Sequence, residues 1–229
     1  MAVTRPIEFE TRGLRRLRSR HWFGGGPEGN EQLTAMVGVI LLVLFAVLGV
    51  TIIRIGQLLW LHLFLGVLLV GPVALKLAST GYRFTRYYTG TPAYKRKGPP
   101  APALRALGPF VILATLAVFF TGLLLLIDGP TASGTLRLLH KLSFFLWLAV
   151  VGLHVLGHLM EMPAALRAVS DSERGSGRGF LPGARGRTIA MVASLGAGLV
   201  LALLFLPDVH SWTAAGPHPF YLHRQVSAP

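Results

Sequence analysis

The sequence predicts an all-α integral membrane protein of five transmembrane helices, and three observations carry that expectation. Of the 229 residues, 52% are hydrophobic and 14% are charged, against roughly 25% charged in an ordinary soluble domain. Mean hydropathy is +0.59. Five apolar runs, each about 20 residues long and so able to cross a hydrocarbon core about 30 Å thick, are separated by glycine, proline and basic residues.

Residues 1–32 form a basic cytoplasmic segment with Arg5, Arg12, Arg15, Arg16, Arg18 and Arg20. Leucine and aromatic residues interleave with these arginines, so a short amphipathic helix lying on anionic lipid and a disordered basic tail are both open. The first span, 33–53, is long enough to stay as an anchor rather than be removed as a signal peptide. It breaks at Arg54, and a second span, 58–78, follows at once with His62 near its start and Lys76 near its end. The two form a tight helical hairpin. A basic loop with tyrosines at 82, 87 and 88 comes next and is a candidate for lipid or partner contact. A third span, 107–127, ends at Asp128-Gly129-Pro130, and a fourth, 138–160, is stopped by Pro163. A Gly/Ser/Arg-rich loop, 161–187, leads to the fifth span, 188–206, and an outer tail, 207–229.

Orientation follows from lysine and arginine placement. The N-terminal segment, the loop after the second span (Arg83, Arg86, Lys95, Arg96, Lys97, Arg105) and the loop after the fourth are strongly basic. The alternate connections carry only Arg54, then Arg137 and Lys141. The N-terminus is therefore expected in the cytoplasm and the C-terminus outside, in a bacterial cell membrane. The formal charge of +13 does not indicate nucleic-acid binding, because the basic residues sit between apolar spans rather than on one face of a folded domain.

The fourth span carries His140, His154 and His158, and ionisable side chains at membrane depth are costly enough to be functional by default. His140 and His154 lie fourteen positions apart, which returns them to within about 40° of one helix face and separates them by about 21 Å along the axis. Laying His62 over His140 superposes the second span on the fourth and the first on the third, and places Lys76 over His154. The chain reads as a duplicated hairpin plus one helix. A four-helix core with ligands projecting inward is a common way to hold a cofactor.

Two neutral imidazoles on facing helices supply both axial ligands of a haem iron without adding charge to the bilayer. His62 and His140 match in depth and helix direction, and Gly49, Gly66 and Gly122 could let a flat macrocycle approach the backbone, or serve helix packing alone. With no cysteine in the chain, covalent haem attachment and thiolate-held clusters are excluded. Histidines fourteen apart on one helix, opposed by a second such helix in a bundle of four or five, resemble the membrane-bound b-type cytochromes, including di-haem cytochrome b and the cytochrome b subunits of respiratory oxidoreductases. The resemblance covers about residues 33–160. It implies b haems that relay electrons between a quinone pool and a partner redox subunit, with His62 and His140 on an outer haem and His154 on one face of an inner one.

The chain departs from that pattern at Lys76, which stands where the family has a fourth histidine. Three possibilities are open: the inner site is lost and Lys76 reaches for the interface; its amine, deprotonated, ligates iron opposite His154; or His158 replaces His154 while Lys76 pairs with a haem propionate. Arg54 and Arg137 fall where outer propionates would emerge, so pairing and plain interface anchoring are both open. His21, His210, His218 and His223 read as polar surface residues. The rival class is a haem-free membrane protein, a small transporter or an anchoring or assembly subunit. The span interiors hold no acidic residue, which argues against a transporter built on buried carboxylates.

Overall fold

A computed structural model describes residues 25–98, 102–175 and 183–215, with the backbone alone for 159–175. Every element in them is an α-helix: α1 (Gly26–Ile53), α2 (Ile55–Leu68), α3 (Val70–Tyr88), α4 (Pro92–Lys97), α5 (Pro102–Asp128), α6 (Gly134–Gly175), α7 (Ala184–Leu204) and α8 (Leu206–Ala214). Five stretches are long and apolar enough to cross a membrane, the second being α2 and α3 in series. Helices suit that solvent because each satisfies its own backbone polar groups.

Large apolar side chains such as Val43, Phe110, Phe120, Phe145 and Leu153 stand exposed on the outside of the bundle. Surfaces of that kind belong against lipid, since contiguous apolar patches of such extent are avoided in water. The chain is thus a multi-pass membrane protein in architecture.

The first two spans form the tight hairpin the sequence predicts. Arg54 alone separates α1 from α2, and its carbonyl accepts from the N–H groups of Gln57 and Leu58, both at 2.9 Å. A second hairpin, α5 with α6, packs along its length. Backbone approach between the two hairpins runs mainly through α2 against α5, while α7 lies against α2 and α3. The short α8 sits across one end of the bundle, against α2 and α5.

Several boundaries differ from expectation: α1 opens at Gly26 and α5 at Pro102, ahead of the expected 33 and 107, and three further differences are larger. The basic stretch after the second span, expected to be a loop, is helical to Tyr88 and again over α4, because no glycine or proline lies between Gly81 and Gly90 and a lone glycine costs a helix only about 1 kcal/mol. The helix of the fourth span runs through Pro163 to Gly175 instead of stopping there; proline is tolerated in membrane helices where other groups satisfy the freed carbonyl. The start of the tail, expected to be an irregular outer segment, is α8, opened by Pro207 in its first turn and anchored by the buried Val209 and Trp212. The basic segment 1–24, the loop 176–182 and residues 216–229, with His21, His218 and His223, lie outside the described residues.

Two apolar clusters position the interior. Val67, Leu126, Ala132, Ala202, Val209 and Trp212 join α8 to α2, α5 and α7 at one end. Val37, Leu41, Leu69 and Val73, with Phe45 and Phe119 against them, fill the middle. Leu69 is fully buried, and the ring of Phe45 on α1 meets that of Trp147 on α6 with centroids 4.8 Å apart. Leu69 and Trp147 each stand midway in their fourteen-residue interval, 62–76 and 140–154. This layer therefore divides the interior into a His62/His140 level and a Lys76/His154 level.

Candidate functional site

At the first level, His62 on α2 and His140 on α6 come within electrostatic reach of each other across the two hairpins. Each ring is held from behind by a threonine of the preceding span. Nδ1 of His62 lies 3.0 Å from Oγ1 of Thr51 on α1, and Nδ1 of His140 lies 3.0 Å from Oγ1 of Thr121 on α5. Thr51 is buried, and its hydroxyl donates to the Leu48 carbonyl at 2.6 Å. Thr121 donates to the Ala117 carbonyl at 2.8 Å and also lies 3.0 Å from the hydroxyl of Ser143, which donates to the His140 carbonyl at 2.9 Å.

Gly122 makes room for the His140 ring, since a Cβ there would stand 3.0 Å from Cε1. Gly49 and Gly66 face open space, with nothing within 4 Å of where a Cβ would stand. Of the three glycines singled out in the sequence, one is thus explained by the histidine it faces, and the other two meet no neighbouring atom.

The second level is built differently. His154 and His158 stand edge to face with ring centroids 4.6 Å apart, and Nδ1 of His154 is buried with no hydrogen-bond partner. Lys76 lies within electrostatic reach of His154, but its ammonium donates to the Thr34 carbonyl on α1 at 2.7 Å, beside Gly38. Ser79, Thr34 and Asn30 extend this polar group between α1 and α3: Asn30 donates to the Ser79 carbonyl and Thr34 meets the Ser79 hydroxyl, both at 3.0 Å.

The two arginines fall at the His62/His140 end without entering the pair. Arg54 is exposed in the hairpin turn. Arg137 donates to the Pro130 carbonyl and lies over the Trp212 ring, 5.5 Å from its centroid. His210, on α8, is exposed. Among the described residues no group of three or more His, Cys, Asp or Glu gathers as a metal-ion cage.

Comparison with protein-family models, with curated proteins and with solved structures returned no match. What the site can do is argued from its own chemistry.

Sequence reasoning missed Thr51, Thr121 and Ser143. Threonine in a membrane span usually bonds a carbonyl of its own helix, and which histidine it also meets is decided by hairpin register. The usable signal was depth: each threonine lies in the half of its span that the hairpin returns to the level of the next histidine.

Proposed function

We propose that this chain is a membrane electron-transfer protein of the b-cytochrome type, holding one haem between His62 and His140. The observation that carries the proposal is this pair: two partly buried imidazoles, on opposed helices of two hairpins, within electrostatic reach of each other and with Nδ1 already occupied. The residues fit the group. A porphyrin supplies four ligands to its iron, so two imidazoles complete the set and no cage of three or more protein ligands is needed. Gly49 and Gly66, both half-buried, have nothing within 4 Å of a Cβ position, and Gly122 lets His140 sit close to α5. When bound, the haem supplies a one-electron couple that the side chains of a cysteine-free chain lack.

The protein's own part is to orient the ligands and exclude water. The Phe45, Leu69 and Trp147 layer closes the site toward the second level, and α8, with Val209 and Trp212, closes it toward the near end. A dry, apolar surround of this kind sets a bound group's potential through burial. The lysine and arginine distribution supports a cytoplasmic N-terminus in a bacterial cell membrane, and the resemblance to cytochrome b subunits supports a quinone pool and a partner redox subunit as electron partners.

The test is a spectrum. Full-length protein purified in detergent after haem-replete expression is expected to show a Soret band and a reducible α band, and His62→Ala and His140→Ala are each expected to abolish them. Wild-type protein without either band would sink the proposal and leave a haem-free transporter or anchoring subunit.

A further inference from the structure

We infer that Thr51 and Thr121 are positioning residues that hold His62 and His140 as Nδ1–H tautomers, leaving each Nε2 bare and turned away from its threonine. The argument is a count of protons. A threonine hydroxyl has one hydrogen and two lone pairs. Thr51 commits that hydrogen to the Leu48 carbonyl at 2.6 Å, so at the 3.0 Å contact with His62 the ring nitrogen must be the donor. Thr121 commits its hydrogen to the Ala117 carbonyl or to Ser143, and Ser143 commits its own to the His140 carbonyl. With that hydrogen placed, the proton between Thr121 and His140 also comes from the ring, which meets the Val118 carbonyl as a second acceptor on the same helix.

The same device occurs in both hairpins at different chain separations, 11 residues for the first pair and 19 for the second. A local accident of helix geometry would not recur at two spacings. A neutral imidazole that donates from one nitrogen is a fixed, more basic acceptor at the other, which is what an electrophile such as a metal centre requires. The purpose assigned here rests on the haem proposal, but the tautomer does not.

The test has two arms. In full-length protein labelled with 15N-histidine and free of haem, the signals of His62 and His140, assigned among the eight histidines by their loss in His62→Ala and His140→Ala, are expected to be those of Nδ1–H imidazoles. Thr51→Val and Thr121→Val, which keep the shape and remove the hydroxyl, should each release one of them, and Thr51→Ser and Thr121→Ser should restore it. Two Nε2–H rings in the wild type, or rings indifferent to valine, would overturn the inference whatever the haem result. In haem-loaded protein each valine variant is expected to lose about 10- to 100-fold in haem affinity and to raise the midpoint potential. A tenfold larger loss in the ferric than in the ferrous state corresponds to about 59 mV for one electron. A missing Soret band in the wild type counts against the proposed function alone, because the nitrogen spectrum still decides the tautomer.

Discussion

Lys76 shows what a single residue does when the surrounding helices fix its direction. Its amine is in a span, where a cation is costly, and it meets that cost by donating to the Thr34 carbonyl on α1 through the gap Gly38 leaves. Committed there, the amine ties α1 to α3 and is turned to a backbone acceptor. This contact is none of the three roles the sequence left open for it: interface seeking, iron ligation or propionate pairing. Lys76→Met is accordingly expected to leave haem content and the low-spin signal of the purified protein unchanged, at a stability cost of about 1 kcal/mol, the usual size of a hydrogen bond between membrane helices. An altered low-spin signal would make the lysine a ligand. His154→Ala should likewise leave one haem per chain, since His154 has no threonine behind its Nδ1. The histidines were legible in the sequence because an imidazole in an apolar run is rare. The partners of those histidines were not, because hydroxyls in spans are ordinary and their targets depend on how two helices face each other.

At the scale of elements, the second span is two helices because of Pro72. Proline has no N–H, so the Leu68 carbonyl loses its helical donor, and α2 gives way to α3 at Leu69. The fifth span fills that break. A Cβ on Gly198 would come 2.0 Å from the Leu68 oxygen, and one on Gly71 would come 2.0 Å from the Ser194 oxygen. In each glycine that direction is taken by a hydrogen, so the two backbones exchange a reciprocal pair of Cα–H···O contacts, worth roughly 0.5–1 kcal/mol each. α7 is thereby seated on the second span and is more than an appendage to the two hairpins. Gly71→Ala and Gly198→Ala should each force the helices apart and lower stability by about 1–3 kcal/mol, as overpacking does. Gly196→Ala is the control, because nothing lies within 4 Å of its Cβ position, and it should be close to neutral. Denaturant titration of the three variants in detergent separates these outcomes, and equal effects at 196 and 198 would contradict the close approach. The five spans could be read from hydropathy alone, yet this seam could not, since a glycine chosen for packing and one that merely occurs in a helix look alike in sequence.

Across the whole molecule the two ends differ in charge, and that asymmetry predicts an orientation. One end gathers the start of α1, the end of α3, the short α4 and the start of α5, where Lys97 pairs with Glu31 and Glu28 and Arg105 donates to Tyr88. Arg83, Arg86, Lys95 and Arg96 belong to these same elements. The opposite end has Arg54, Arg137 and Lys141, with α8 laid across it and Trp212 donating to the Leu126 carbonyl near the close of α5 at 3.2 Å. Excess lysine and arginine near span ends keeps a loop in the cytoplasm, so the α3–α4 connection should lie inside and the α5–α6 connection outside, placing the His62/His140 level toward the outer face. Because the chain has no cysteine, single cysteines report without background. Thr89→Cys, after α3, is expected to react with a membrane-impermeant maleimide only once cells are permeabilised, and Thr131→Cys, between α5 and α6, to react in intact cells. Both positions are exposed, so failure to label cannot come from burial within the chain. The reverse pattern would invert the molecule and bring the paired histidines to the cytoplasmic side, where a donor or acceptor would have to meet them from the other compartment.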